Sequence, residues 1–470
     1  MSDASAESPA GEEAPLVLPA WAVGVPAVLL LGFLALFGRA GVGIQVTGLP
    51  LGAYLTPLPS VLVAGLITTS RGRMLLRSFD RSQRRVAIAV AVAVAAGLLR
   101  AAVQGMPTLL RFQDMTYLLR LPWIVVGMAA MKTLASDEER ARVLRWLAWT
   151  LAFALTLHWA RSGFAQARWM FEQVAGGLMR LSDKPDYLTK DSDRALHITA
   201  LAALAIHLTR DRSRRGIPLV IIAGLLAGTH FSGFFLGGSR GALVGTALGG
   251  ALLLSQKTHR DARTIFFATA TAAFVVSTTA ALATVPESHG TPPQAEAAQG
   301  EVLSILDRYE LVAGRRSVSA SIGQLRVEDG IFVGASTVGW RLAIWQDVLD
   351  EWNSSRTNQV FGIGFGNEIA AMTVPGRSGY DGLNRGVHSI AFTVLARQGL
   401  LGVFALTWIL FALVLPQPLR QTAVLPVIAA GIIVGLFDVF LEGVQGPIFV
   451  WTMIGLAAGN YPVVTAHTPS

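Results

Sequence analysis

The chain has 470 residues, 52% of them apolar and only 14% charged, with 48 Gly and a mean hydropathy of +0.51. A soluble globular protein carries about a quarter charged residues, and one soluble core stops growing near about 250–300 residues, so an ordinary soluble protein is excluded. Cysteine is absent, which excludes disulfides, thiolate metal sites and Cys nucleophiles. The net charge of +8 and the pI near 10.3 suggest either nucleic-acid binding or basic cytoplasmic loops, and the placement of the charges decides between them.

Residues 1–19 read as an acidic cytoplasmic tail. They hold Asp3, Glu7, Glu12 and Glu13 and no basic residue, so the positive n-region and the small-residue cleavage site of a signal peptide are both missing. Beyond the tail, the apolar runs approach the about 17–25 residues that a bilayer crossing needs. They predict helices near 20–38, 47–69, 86–104, 116–134, 143–161, 195–209, 217–237, 241–256, 264–284, 399–415, 421–440 and 445–461. The expected fold class is an all-α integral membrane protein of about twelve transmembrane helices with one large outer loop. Spans one to nine occupy 20–284, the large loop 285–387, a re-entry segment with spans ten to twelve 388–461, and a second cytoplasmic tail 462–470.

With the N-terminus inside, the basic residues gather in the inner loops: Arg71, Arg73, Arg77, Arg81, Arg84 and Arg85, then Lys132, Arg140, Arg142 and Arg145. Arg210, Arg212, Arg214 and Arg215, then Lys257, Arg260 and Arg263, and finally Arg420 continue the series. The short outer connections hold only Arg100, Arg111 and Arg240, and Arg39 is the one exception, outside beside an acidic inner tail. The high pI is therefore topology, following the excess of positive charge in cytoplasmic loops, and no nucleic-acid partner is implied.

Two outer segments are long, Ser162 to Arg194 and about Pro286 to Val387. The early part of the second reads as a flexible Pro/Gln/Ala/Glu linker. Further on, Trp345, Val348, Leu349 and Trp352 recur at helical spacing. They predict an amphipathic helix over 338–353 lying on the membrane interface, where Trp is favoured, with Arg341 one turn before Trp345 and aimed at lipid headgroups.

Three outer patterns can carry chemistry. In Gly237-Gly238-Ser239-Arg240-Gly241-Ala242 an Arg at the bilayer boundary stands beside open backbone N–H groups and a helix start, an arrangement suited to an anion or to a tight turn with a snorkelling Arg. Arg341 and Trp345 precede Phe361-Gly362-Ile363-Gly364-Phe365-Gly366, a glycine turn that lets the backbone approach a ligand or the membrane and lacks the strand–helix context of a nucleotide loop. Arg385-Gly386-Val387-His388-Ser389 leads to Arg397-Gln398-Gly399-Leu400-Leu401-Gly402. Of the eight histidines, His388 alone lies where a long outer loop re-enters among arginines, and imidazole suits proton abstraction near neutrality. A cap role for Ser389, with His388 bonded to backbone, is the plainer alternative. Asp191-Ser192-Asp193 has a DxD spacing that 30 acids in 470 residues produce by chance. Asp438 and Glu442 mark an ion path or partners for Arg240 or Arg341.

In order, these elements resemble the bacterial O-antigen ligase and polymerase superfamily: Ser239-Arg240-Gly241, then Arg341, Trp345 and Gly362-Ile-Gly364, then His388 and Gln398-Gly-Leu-Leu-Gly402. The resemblance covers roughly 220–415. It departs at Ser389, where the family usually has Asn, and at Arg397, where it often has an acid. What the resemblance implies is a periplasmic-face glycosyltransferase of the bacterial inner membrane. It would move a glycan from an undecaprenyl-diphosphate carrier to an acceptor saccharide, lipid A–core for a ligase, with no metal and no cofactor. Arg240 and Arg341 would stabilise the diphosphate and His388 would act as base, while Ser239, Gly241, Trp345, Arg385, Ser389 and Arg397 would contact substrate. A polymerase of the same superfamily, whose acceptor is a growing glycan, is the first alternative. A lipid-linked sugar transporter or flippase is the second, and the halves of the chain lack the repeat such proteins often show.

Overall fold

In the computed structural model the residues described are 16–104, 109–163, 189–209, 216–236, 240–256, 259–283, 326–328, 331–333, 337–366, 387–414, 424–437, 441 and 444–460. They are predominantly helical. Six helices or helix pairs among them are long and apolar enough to cross a membrane: Ala20–Gly38, Leu51–Thr68, Arg81–Val103, Ile217–Phe235, Arg260–Ala283 and Ile390–Val414. The architecture is thus an all-α multi-pass membrane protein, in keeping with the composition.

In chain order the helices are α1 (Ala20–Val42), α2 (Leu51–Leu55), α3 (Leu58–Thr68), α4 (Ser70–Arg77), α5 (Arg81–Val103) and α6 (Leu109–Asp114). Next come α7 (Thr116–Leu119), α8 (Trp123–Lys132), α9 (Asp137–Gly163), α10 (Asp191–His207), α11 (Ile217–Phe235) and α12 (Arg240–Ser255). The last six are α13 (Arg260–Ala283), α14 (Thr337–Asn353), α15 (Arg356–Phe361), α16 (Ile390–Val414), α17 (Val424–Phe437) and α18 (Gln445–Gly459). Helix is present in each of the twelve expected windows. The 116–134 window is divided, because Pro122 offers no N–H and ends the turn between α7 and α8. The re-entry segment and the tenth span are one element, α16, broken only at Gly399.

Local sequence explains several boundaries. Asp80 and Gln83 form a reciprocal capping box at the start of α5. Asp137, Glu138 and Glu139 open α9 at its positive dipole end, where Arg140 pairs with Asp137 at 2.5 Å. Two short hairpins were not foreseen: Gln45–Val46 with Leu49–Pro50, and Arg326–Glu328 with Ile331–Val333 within the large loop.

The helices pack in neighbouring pairs: α1 against α9, α5 against α16, α8 against α18, α11 against α13, and α12 against α17. The central helices α10 and α18 are buried nearly throughout. Leu99, Val103, Val276 and Phe404 of the peripheral helices instead expose apolar side chains, as helices do where hydrocarbon rather than water is the solvent.

Candidate functional site

The helix α14 begins one residue from its expected start, but its apolar face is covered by protein. Ile344 and Val348 are fully buried and form a small core with Ile363, Val387 and Ala396. Trp345 donates its Nε1–H to the Val387 carbonyl at 2.8 Å and stacks on Phe392, with ring centroids 4.7 Å apart and planes 12° from parallel. Trp352 donates to the Gln359 carbonyl at 3.1 Å. Protein from the residues flanking His388 and the first turns of α16 thus covers Ile344 and Val348, while Trp345, Leu349 and Trp352 stay half-buried. Arg341 is half-buried, four residues before Trp345 and so on the same face.

His388 lies between two buried residues, Val387 and Ser389, and is itself half-buried. Its φ of 56° is in the left-handed region, which costs a non-glycine residue of order 1 kcal/mol or more. That bend lies between Val387 and α16, whose first turn closes with Thr393 N–H on the Ser389 carbonyl at 2.9 Å. Ser389 is thus the residue at the helix entrance, as the plainer sequence reading had it, while Val387 is pinned by Trp345. The backbone on both sides of His388 is fixed.

The glycine turn after α15 meets protein, not an open ligand space. Ile363 N–H donates to the Ala396 carbonyl at 2.6 Å. Gly362 (φ 78°) and Gly399 (φ 61°) pass backbone against backbone. A Cβ on Gly362 would lie 2.5 Å from Gln398 N, and one on Gly399 2.5 Å from Gly362 N. This crossing is the physical reason for the break in α16. Arg100 Nη2 donates to the Gly362 carbonyl at 2.8 Å. Gln104 accepts from Phe365 N–H at 2.9 Å and donates to the Ile363 carbonyl at 3.3 Å. Arg397 is buried, with Nη1 on the Gly364 carbonyl at 2.8 Å and Nη2 3.0 Å from Asp114 Oδ2. The same Asp114 oxygen accepts from Gly366 N–H at 2.7 Å. Arg397, expected among substrate contacts, has its guanidinium turned inward here, onto the Gly364 carbonyl and Asp114.

Sequence reasoning missed Arg100, Gln104 and Asp114. At the end of an apolar span, such residues read as ordinary loop polarity. Gln398, noted only as part of the glycine pattern, accepts from Tyr117 Oη–H at 3.2 Å.

Arg240 opens α12, with Gly241 in its first turn. Gly245 sits against Val434, where a Cβ would meet Cγ2 at 2.7 Å, and Gly435 faces Ile390 Cγ2 at 3.4 Å in the same sense. The C-terminal turns of α17 thus touch both the start of α12 and the residue two after His388. Ser239, Arg385, Asp438 and Glu442 lie outside the described residues. The DxD acids are engaged locally: Asp191 pairs with Arg194, and Asp193 accepts from Lys190 N–H at 3.0 Å to cap α10. Among the described residues no three His, Asp or Glu side chains group as metal ligands do.

A cavity of about 200 Å³, mostly apolar, is lined among others by Tyr117, Ile390, Val394, Gln398, Leu406 and Trp451. It lies between α5, α7, α16, α17 and α18, within the helix bundle.

Residues 225–407 match the family model described as O-antigen ligase. The matched segment contains Arg240, Arg341, Trp345, the glycine turn, His388 and much of α16, and over these residues the chain is similar to that family. No curated protein matches the chain with significance.

Proposed function

Starting from that family relationship, we propose that the protein is an O-antigen ligase-like glycosyltransferase. In this reading it moves a glycan from an undecaprenyl-diphosphate carrier to an acceptor saccharide at the periplasmic face of the bacterial inner membrane. The match over residues 225–407 supports glycosyltransferase-like chemistry in general. The observation that supports the finer reading is that the C-terminal turns of α17 meet the second turn of α12 at Gly245 and the first residue of α16 at Ile390, which follow Arg240 and His388 in sequence.

The chemistry follows from the bonds involved. The acceptor hydroxyl oxygen attacks the anomeric carbon of the glycan while the bond from that carbon to the diphosphate oxygen breaks. The electron pair leaves with undecaprenyl diphosphate, whose growing charge needs fixed cations. Arg240 and Arg341 take this role, since a guanidinium matches phosphate oxygens two at a time. The proton of the acceptor hydroxyl passes to the imidazole of His388. Ser239, Gly241, Trp345, Arg385 and Ser389 lie next to these three in sequence and are proposed to shape the substrate site. The cavity lined by Ile390, two residues after His388, is mostly apolar and suits the first isoprene units of the carrier, holding the reacting bond at the membrane surface. Twelve spans with an inside N-terminus complete the proposed topology.

The test uses purified protein in detergent micelles with a polyprenyl-diphosphate-linked glycan and either lipid A–core or a second lipid-linked glycan as acceptor. Micelles have no second compartment, so a transporter gives no product. Glycan on lipid A–core supports the ligase, glycan on the second lipid-linked glycan supports the polymerase, and no product with either overturns the enzyme.

A further inference from the structure

The first half of the chain, upstream of the family match, grips the site's glycine turn through three side chains, and Arg397 within the match adds a fourth. From this geometry we infer that Arg100, Gln104 and the Asp114–Arg397 pair are positioning residues that set the height and register of His388 over α16. The inference rests on the transferase reading for its catalytic consequence, while the clamp itself stands on distances alone.

The turn Gly362–Gly366 has backbone groups that would be costly to leave unpaired where water is scarce. Arg100 takes the Gly362 carbonyl at 2.8 Å, Gln104 the Ile363 carbonyl and the Phe365 N–H, Arg397 the Gly364 carbonyl, and Asp114 the Gly366 N–H at 2.7 Å. Consecutive residues of the turn are thus each held by a side chain from α5, α6 or α16. Arg397 and Asp114 have side chains only 1% and 7% exposed, so the pair holds its geometry without competition from solvent.

The turn is coupled to His388 by two routes. Ile363 donates to the Ala396 carbonyl, which places the turn against the second turn of α16. Ile363 also packs in one small core with Val387, Ile344 and Val348. Val387 is bonded to Trp345 and precedes His388, whose left-handed φ leaves its ring direction dependent on both neighbours. Moving the turn therefore moves Val387, the residue before His388, and the backbone of α16 at Ala396. A displacement near 1 Å at a reacting group costs up to about 100-fold in rate.

Removing one member of a buried ion pair leaves an uncompensated charge and threatens the fold, whereas replacing both with neutral groups of similar size does not. The informative variant is therefore the double Asp114→Asn, Arg397→Met. Gln104→Leu, which deletes two neutral hydrogen bonds, is the second and carries the same readings if the double variant does not fold. Because the natural chain has no cysteine, Leu99→Cys and Phe361→Cys, at side chains 67% and 46% exposed, accept spin labels for a distance distribution between α5 and the turn. The full-length protein in detergent or nanodiscs is measured for thermal melting, for transfer kcat and KM, and for that distribution. The expected result is a single cooperative melt at a somewhat lowered midpoint, a kcat lowered at least about tenfold with donor KM unchanged, and a broadened distance. A wild-type kcat, with or without broadening, overturns the inference, and so does a lost kcat with an unchanged distance. If the wild-type protein transfers no glycan, the transferase reading fails on its own. The distance arm then decides the clamp: broadening upholds it and an unchanged distribution overturns it.

Discussion

Arg397 in α16 and Asp114 in α6 form a buried ion pair, Nη2 to Oδ2 at 3.0 Å, across the family-matched segment and a helix well upstream of it. The pair encloses the turn at Gly364 and Gly366, so the signature region of the matched segment is completed by residues outside it. A short motif can therefore be read in sequence while the forces that shape it come from elsewhere.

The crossing of Gly362 and Gly399 gives the sharpest prediction about the fold of this region. Alanine at either position faces a left-handed φ, worth about 1–2 kcal/mol, and a Cβ 2.5 Å from backbone nitrogen. Gly362→Ala and Gly399→Ala are expected to lower the thermal midpoint by several degrees and to reduce transfer. Thermal unfolding in detergent, followed by circular dichroism, measures this.

Trp345 combines a hydrogen bond with a stacked ring, and the two separate by substitution. Trp345→Phe keeps the contact with Phe392 and loses the bond to the Val387 carbonyl, a cost of about 1–3 kcal/mol with the acceptor left unpaired. Trp345→Ala loses both, about 3–5 kcal/mol. The order wild type, Phe, Ala in thermal midpoint is the expected outcome, and equal midpoints for Phe and Ala contradict the stacking.

At His388 the backbone itself is testable without any assay of activity. Glycine occupies a φ near 56° freely whereas alanine does not. His388→Gly is expected to melt above His388→Ala, by a difference on the order of 1 kcal/mol. The reverse order would show that the left-handed conformation is absent.

The reading of Arg240 and Arg341 as diphosphate ligands predicts sensitivity to geometry at constant charge. Lysine is a point charge that cannot bond two phosphate oxygens from a planar fork. Arg240→Lys and Arg341→Lys are each expected to lower transfer by about tenfold or more, a loss of at least about 1.4 kcal/mol of transition-state stabilisation. Near-wild-type rates in initial-velocity assays reduce these arginines to membrane anchors.

How much of this was legible in the sequence depends on how local the cause is. Long apolar runs and the Trp345, Val348, Leu349, Trp352 periodicity lie within one helix, and both led to helices near the expected boundaries. The hydrophobic cover of α14 was not legible, because Val387 and Ala396 come from residues some forty positions away and an apolar face reads the same against lipid or protein. Arg100 is harder still: it bonds a backbone carbonyl 262 residues downstream, and no side-chain pattern announces a carbonyl partner. Arg397 was noticed for its charge beside His388, yet its direction depends on Asp114, which the motif itself does not contain. Pro122 was visible in the sequence, and its division of the fourth span follows from its missing N–H.

The central claim is that imidazole and guanidinium groups at one membrane face transfer a glycan from a polyprenyl diphosphate. Its most direct test is the initial rate of glycan transfer in micelles containing a chelator, for wild type and for His388→Ala protein of matched folding. The account predicts steady product with wild type in the chelator, and a rate at least about a hundredfold lower, within the range a general base contributes, with His388→Ala. An undiminished rate in the variant, or a wild-type rate abolished by the chelator, would contradict it.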